Sequence, residues 1–224
     1  MTGTEFGAEA VAERLAGFRD RIAAASGDPA GVTVVAVTKG FGADAVRAAL
    51  GAGLVDIGEN YADELVAKAG GTTDAEPAPR WHFLGAVQRN KVARLAPVVS
   101  CWQGVSRLQE GHAIAKRQPG ARVLVQVDIA GIPGRGGCQP EGVPDLVAAL
   151  RDEELEVAGL MAVGPPGPPE DARPGFHRVV SLADQLDLRI RSMGMTDDLE
   201  VALSEGSTMV RIGRGLFGDR PTRG

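Results

Sequence analysis

The sequence predicts an α/β fold: a single (β/α)8 TIM barrel carrying an extra N-terminal helix. Three observations point there. Eight short runs rich in β-branched residues recur along the chain, and segments with one apolar helical face lie between most of them. The 224 residues fall in the low part of the size range for closing such a barrel, so its loops must be short. A doubly wound open sheet is the alternative, because counting strands does not by itself distinguish the two.

The first element is EFGAEAVAERLAGFRDRIAAA, residues 5–25, where Val11, Leu15, Phe18 and Ile22 recur at helical spacing. SGDPAG breaks it. The strand candidates follow as VTVVAV (32–37), LVDIG (54–58), WHFLG (81–85), VVSCW (98–102), VLVQVDI (123–129), LEVAGLMAV (155–163), LRIRSM (188–193) and TMVRIG (208–213). The helical patterns are ADAVRAALGAG, YADELVAKAG, VQRNKVARLA, RLQEGHAIAKRQ, GVPDLVAALRDE and TDDLEVALSEG. After the sixth strand, GPPGPPEDARPG (164–175) reads as an exposed loop, since proline stops both helix and strand. A single domain over 1–224 is expected, with the barrel at about 32–218.

Composition excludes several classes. A net charge of −5 gives no basic field for nucleic acid or a membrane surface, so a phosphate-bearing ligand would need a local site. Cys101 and Cys138 lie outside any CxxC or histidine-ligand spacing and read as reduced thiols. The N-terminus lacks a basic region followed by an apolar stretch, and no run reaches transmembrane length. A cytoplasmic location is expected.

In a barrel the carboxyl ends of the strands carry the chemistry. Here those ends are Thr38-Lys39, Glu59-Asn60, His82 with Gly85, Asp128, Met161, Ser192-Met193-Gly194 and Arg211-Ile212-Gly213-Arg214. Lys39 closes an uncharged run and precedes Gly40 and Gly42. Taken alone, such a lysine is a solvated strand cap; in apolar surroundings its amine pKa would fall, making it a candidate Schiff-base nucleophile.

IGRGLFG (212–218) matches GxGxxG, but no βαβ unit with an acidic residue follows, so a dinucleotide fingerprint is not supported. A glycine turn into a short helix still offers N–H groups to phosphate. The barrel's usual phosphate corner lies after strands seven and eight, where SMGM and IGRG fall.

Arg211 interrupts an apolar strand, so it either pairs with a carboxylate or donates to a ligand. In TDDLE, Thr196 or Asp197 reads as a helix N-cap rather than part of an acid/base pair. His82 is a core histidine or a pocket wall, with no spacing for a metal. His112, His177, Arg89 and Lys91 read as surface, and no Ser-His-Asp arrangement is visible.

With these residues in view, the chain resembles the YggS/PROSC family of pyridoxal 5′-phosphate (PLP) homeostasis proteins, relatives of the alanine racemase barrel. The resemblance covers about Val32 to Gly218. It rests on VAVTKG, IGENYADE, WHFLGAVQRNK, LVQVDI, GLMAV, SMGMTDDLEVALSEGSTMVRIG and the closing LFG, with 192–213 the most specific stretch.

The resemblance implies the cofactor PLP, held as an internal aldimine on Lys39. It implies phosphate binding by Ser192 of SMGM, helped by the backbone N–H groups of Gly213 and Arg214, and it counts Met193 among the cofactor-binding residues. It places Arg211 at the pyridine nitrogen, where a cation keeps the ring unprotonated and a poorer electron sink, and it puts Asn60 and His82 along the cofactor. Three departures stand out. GFGAD replaces a segment that often carries a second lysine, Arg135 stands where a loop lysine is common, and Arg214 replaces a threonine.

The function implied is PLP homeostasis without turnover, with PLP-dependent apo-enzymes as partners and neither nucleic acid nor membrane. The alternative is a PLP-dependent racemase. Against it, the racemase-type second domain with its opposing tyrosine base is missing, and the single tyrosine is Tyr61. Without that domain's dimer interface, a monomer is expected.

Overall fold

A computed structural model of the chain describes residues 7–132, 134 and 136–220. Glu5 and Phe6 of the expected first helix, and Arg135, lie outside the described residues. Eight parallel strands close on themselves in sequence order. They are β1 (Thr33–Val37), β2 (Asp56–Glu59), β3 (Arg80–Phe83), β4 (Val99–Val105), β5 (Arg122–Val127), β6 (Glu156–Ala162), β7 (Ile190–Ser192) and β8 (Met209–Ile212). The last strand pairs with the first, Val35 opposite Arg211 and Ala36 opposite Ile212, which removes both sheet edges.

Along each strand successive side chains alternate between the two faces of the closed sheet. Ile57, Trp81, Phe83, Trp102, Val123, Val125, Leu160, Val210 and Ile212 belong to the large core shared with the helices. Cys101, Leu124 and Met161 form a second, smaller cluster. Alongside that inner cluster stand polar side chains, among them Gln103 and Arg211, buried at 0% and 5% exposure. A barrel interior that buries such groups must satisfy them, and here that requirement shapes the site.

The helices between strands are α2 (Ala43–Gly51), α3 (Ala62–Gly70), α4 (Val92–Leu95), α5 (Leu108–Ala115), α6 (Val143–Asp152), α7 (Arg173–Gln185) and α8 (Leu199–Ser204), with α1 (Ala8–Ala25) ahead of β1 and α9 (Arg214–Phe217) after β8. Two differ from the sequence reading. The pattern at 87–96 yields only the four residues of α4: a turn precedes it, and Ala96, still helical in φ and ψ, caps its end just before Pro97. The proline-rich stretch ends earlier than expected. Pro169–Ala172 form a 3₁₀ turn and Arg173 already opens α7, with Pro174 in its first turn, where the missing N–H costs nothing.

The extra helix α1 buries Val11, Leu15, Phe18 and Ile22, the four residues its spacing selected. Each such side chain contributes roughly 1.5–3 kcal/mol when fully buried. Its partners are α2, α8 and α9. Phe18 packs so closely on Gly215 that a Cβ there would lie 2.3 Å from the ring. Arg14 donates to the Leu216 carbonyl at 2.8 Å, and Arg21 donates to Thr196 O at 3.1 Å and to the Glu200 carboxylate. α1 thus braces the segments that follow β7 and β8.

Candidate functional site

A cavity of about 640 Å³ opens at the carboxyl ends of the strands, a size suited to a small cofactor. Lys39, Asn60, Arg211, Gly213 and Arg214, five of the residues singled out from the sequence, line it together. Strand order brings them there: Lys39 follows β1, Asn60 follows β2, and the other three end β8 or begin α9.

Lys39 sits in a turn whose next residue, Gly40, has φ +82°, a conformation favouring glycine. Burial lowers the Lys39 amine pKa below the ordinary lysine value, and the nearby cations Arg220 and Arg211 lower it further; Glu59 opposes them. A lowered pKa leaves more of the amine in its neutral, nucleophilic form at a given pH.

Beneath that turn lies a buried ion pair. Lys68 Nζ donates to Glu59 Oε1 at 2.5 Å and to the Thr38 carbonyl at 2.7 Å, and the Thr38 hydroxyl donates to the same Glu59 oxygen at 2.5 Å. Burial raises the Glu59 pKa, with Lys68 and Thr38 pulling the other way. Glu59 Oε2 is buried without a hydrogen-bond partner among the described residues. The pair anchors the residue preceding Lys39.

Of the two partners considered for Arg211, the carboxylate is not found: among the described residues none lies within ion-pair distance of it. Nη1 donates to the Ser192 carbonyl at 2.6 Å and hydroxyl at 2.8 Å, and Nη2 donates to the Ala162 carbonyl at 2.7 Å. Burial lowers its pKa to about 10, with Asp198 opposing, so it stays cationic at neutral pH.

Three expected site residues, Ser192, Met193 and His82, are not among those lining the cavity. Ser192 is 0% exposed, its hydroxyl donating to Gln103 Oε1 at 2.7 Å while accepting from Arg211. Met193 is fully buried in the helix-side core. His82 points into the barrel between Asp56 and Gln103. A strand's last residues alternate between inside and outside, and at the end of β7 that alternation sends the hydroxyl inward.

Met195, Thr196 and Asp197, from the loop after β7, line the cavity together with Gly213 and Arg214. Thr196 and Asp197 were read as N-caps. The N-cap of α8 is Asp198, whose carboxylate accepts from Met195 N–H at 2.6 Å, leaving Thr196 free to line the cavity. Arg214 Nη2 pairs with Asp197 at 2.8 Å across the rim.

The glycines of IGRG have local causes: a Cβ on Gly213 would lie 3.2 Å from the Val37 carbonyl, and Gly215 receives Phe18. Sequence reasoning missed Arg220 and Gln103. No motif marks Arg220, while Gln103 in the middle of an apolar strand was a visible signal.

His112 and His177 are exposed beside Glu153 and Glu205, and Lys91 pairs with Asp63, all as surface groups. Both cysteines are free, and burial pushes the Cys101 thiol up to about 12. Among the described residues no group of histidine, cysteine and carboxylate side chains could hold a metal, and no helix is long and apolar enough to cross a membrane.

Comparison with known proteins adds the following. The family model described as alanine racemase, N-terminal domain, matches residues 9–221. A pyridoxal phosphate homeostasis protein of Pseudomonas aeruginosa is 38% identical over 221 residues, spanning 95% of each chain. The structure of PipY from Synechococcus elongatus with PLP bound superposes with a TM-score of 0.81 at 28% identity, covering 93% of this chain and 100% of that one. An alanine racemase from Streptomyces coelicolor shares the fold, with a TM-score of 0.72 at 21% identity, covering 96% of this chain and 60% of the racemase.

Proposed function

The chain belongs to the alanine racemase N-terminal domain family, among relatives named pyridoxal phosphate homeostasis proteins, and on that premise we propose that it binds PLP and serves PLP homeostasis without turnover. The observation that carries the reading is the convergence in one cavity of a depressed lysine amine, a buried arginine held without a carboxylate, and a loop-and-helix corner of polar groups.

The donor set fits the cofactor. When bound, PLP supplies an aldehyde that condenses with a primary amine and releases water. Lys39 is the amine placed for that condensation. Thr196 and the N–H groups of Gly213 and Arg214 would hold the phosphate; the first N–H groups of a helix lack intrahelical partners. The Arg214 side chain, paired with Asp197, stands at the rim. Arg211 would set a positive charge against the ring nitrogen, and Asn60 would border the ring. Ser192, Met193 and His82 act from behind the wall rather than on the ligand.

The racemase alternative needs a second base across the cavity. The chain's one tyrosine, Tyr61, is 56% exposed and outside the cavity wall, which supports binding without turnover. The reading includes a single PLP-binding unit over the chain, a monomer, a cytoplasmic location and transfer of PLP to apo-enzymes.

The test is titration of the purified chain with PLP followed by visible absorbance. A saturable band that is lost in Lys39→Ala is expected. Wild-type protein that stays colourless at excess PLP overturns the reading.

A further inference from the structure

We propose that Asp56, His82, Gln103 and Ser192 form one polarised hydrogen-bond chain through the barrel interior, whose task is to position the Arg211 guanidinium against the ring of the bound cofactor. The proposal rests on the PLP reading for its purpose, though not for its geometry.

The chain is continuous. Arg211 Nη1 lies 2.8 Å from Ser192 Oγ, Ser192 Oγ 2.7 Å from Gln103 Oε1, Gln103 Nε2 2.8 Å from His82 Nδ1, and His82 Nε2 2.9 Å from Asp56 Oδ1. Its members come from β8, β7, β4, β3 and β2, and all are buried: Ser192 and Gln103 at 0% exposure, His82 and Arg211 at 5%, Asp56 at 8%. Asp56 opens β2 at the opposite end of the barrel, where Arg80 also donates to it.

The two ends fix the direction of every link. A guanidinium only donates and an ionised carboxylate only accepts. Ser192 Oγ therefore accepts from Arg211 and spends its own proton on Gln103 Oε1. The amide nitrogen of Gln103 must then face His82, so Nδ1 accepts and Nε2 carries the proton that goes to Asp56. Burial alone would raise the Asp56 pKa, but the His82 and Arg80 hydrogen bonds outweigh it and hold the carboxyl below its ordinary value, keeping that end anionic. In a low-dielectric interior such aligned bonds polarise one another, and a break leaves buried groups unpaired.

The consequence lies at Arg211. With Nη1 fixed on Ser192 and Nη2 on Ala162, the guanidinium cannot turn toward a carboxylate elsewhere, and the cavity keeps a cation at a set place. Asp56, His82, Gln103 and Ser192 are positioning residues that never touch the ligand.

The first measurement needs no cofactor. In ¹⁵N-histidine-labelled apo-protein, His82 is assigned by elimination with His112→Gln and His177→Gln. A single Nε2–H tautomer is expected; an Nδ1–H or exchange-averaged ring overturns the chain. The second uses Gln103→Met and Asp56→Asn loaded with PLP. Gln103→Met is expected to mix the His82 tautomers, shift the visible band and weaken retention roughly tenfold. Asp56→Asn keeps an acceptor and is expected to weaken it only about threefold. Wild-type spectra and tautomer in both variants contradict the proposal. A wild-type protein that forms no coloured adduct counts against PLP binding alone, and the tautomer remains the test of the chain.

Discussion

Arg211 grips Ser192 twice, Nη1 donating to its carbonyl oxygen at 2.6 Å and to its hydroxyl at 2.8 Å. With its hydroxyl committed to Arg211 and to Gln103 Oε1, Ser192 is expected to act on the cavity through the arginine. Ser192→Ala removes the hydroxyl and leaves Gln103 Oε1 without its donor. Unfolding in urea should show a loss of about 1–3 kcal/mol, the cost of an unsatisfied buried group. Retention of PLP and of pyridoxal, which lacks the phosphate, should fall by the same factor. A loss confined to PLP would return the serine to the phosphate site.

Thr196 carries the opposite expectation. Its place on the cavity wall after β7 is the ground for proposing it as the side-chain donor to phosphate. Thr196→Ala should weaken PLP retention roughly tenfold, the range for a hydrogen bond to a charged group. Pyridoxal should bind as before. Equilibrium titration with both ligands separates the two outcomes.

The Lys39 amine should show its environment in pH profiles. Its pKa is lowered by burial, then by Arg220 and Arg211. The rate of PLP capture should rise with pH to a midpoint below the ordinary lysine value of 10.5. Arg220→Ala removes a neighbouring positive charge and should move that midpoint upward. For stability the sign is fixed by linkage. Between the folded and unfolded pKa values the unfolded chain binds more protons, so this residue's penalty is full below the folded pKa and vanishes as pH passes the unfolded one. Lys39→Met should therefore stabilise the apo-protein near neutral pH, with the gain disappearing above the ordinary lysine range, as read by urea midpoints at the two pH values.

The Glu59–Lys68 pair should be costly to break and cheap to replace. Lys68→Met strands the buried Glu59 carboxylate and should cost about 3–5 kcal/mol. Replacing both, as Glu59→Leu with Lys68→Met, should recover most of that loss. Denaturant unfolding of the single and double variants measures the difference. A single variant as stable as wild type would mean the pair holds nothing.

The barrel and its cavity were readable because strand periodicity and strand ends are local properties. Lys39, Asn60, Arg211, Gly213 and Arg214 all follow from knowing which residues end which strands. What periodicity left open was the direction each side chain takes at the end of a strand. Ser192 and Thr196 are four residues apart in one motif, and only the inward turn at the end of β7 separates them into a buried arginine partner and a wall residue. His82 and Gln103 point inward for the same reason, and their partnership depends on how β3 and β4 align, with His82 opposite Cys101. Arg220 comes from a segment with no pattern of its own. Proline-rich spelling concealed the start of α7, since proline is tolerated in a first turn.

The most direct test of the central claim is borohydride reduction of the PLP-treated protein, followed by proteolysis and mass spectrometry of the peptides. A single phosphopyridoxyl adduct on Lys39, absent from Lys39→Ala, is the expected result. An adduct on Lys68, Lys91 or Lys116 with Lys39 unmodified, or no adduct at all, would contradict it.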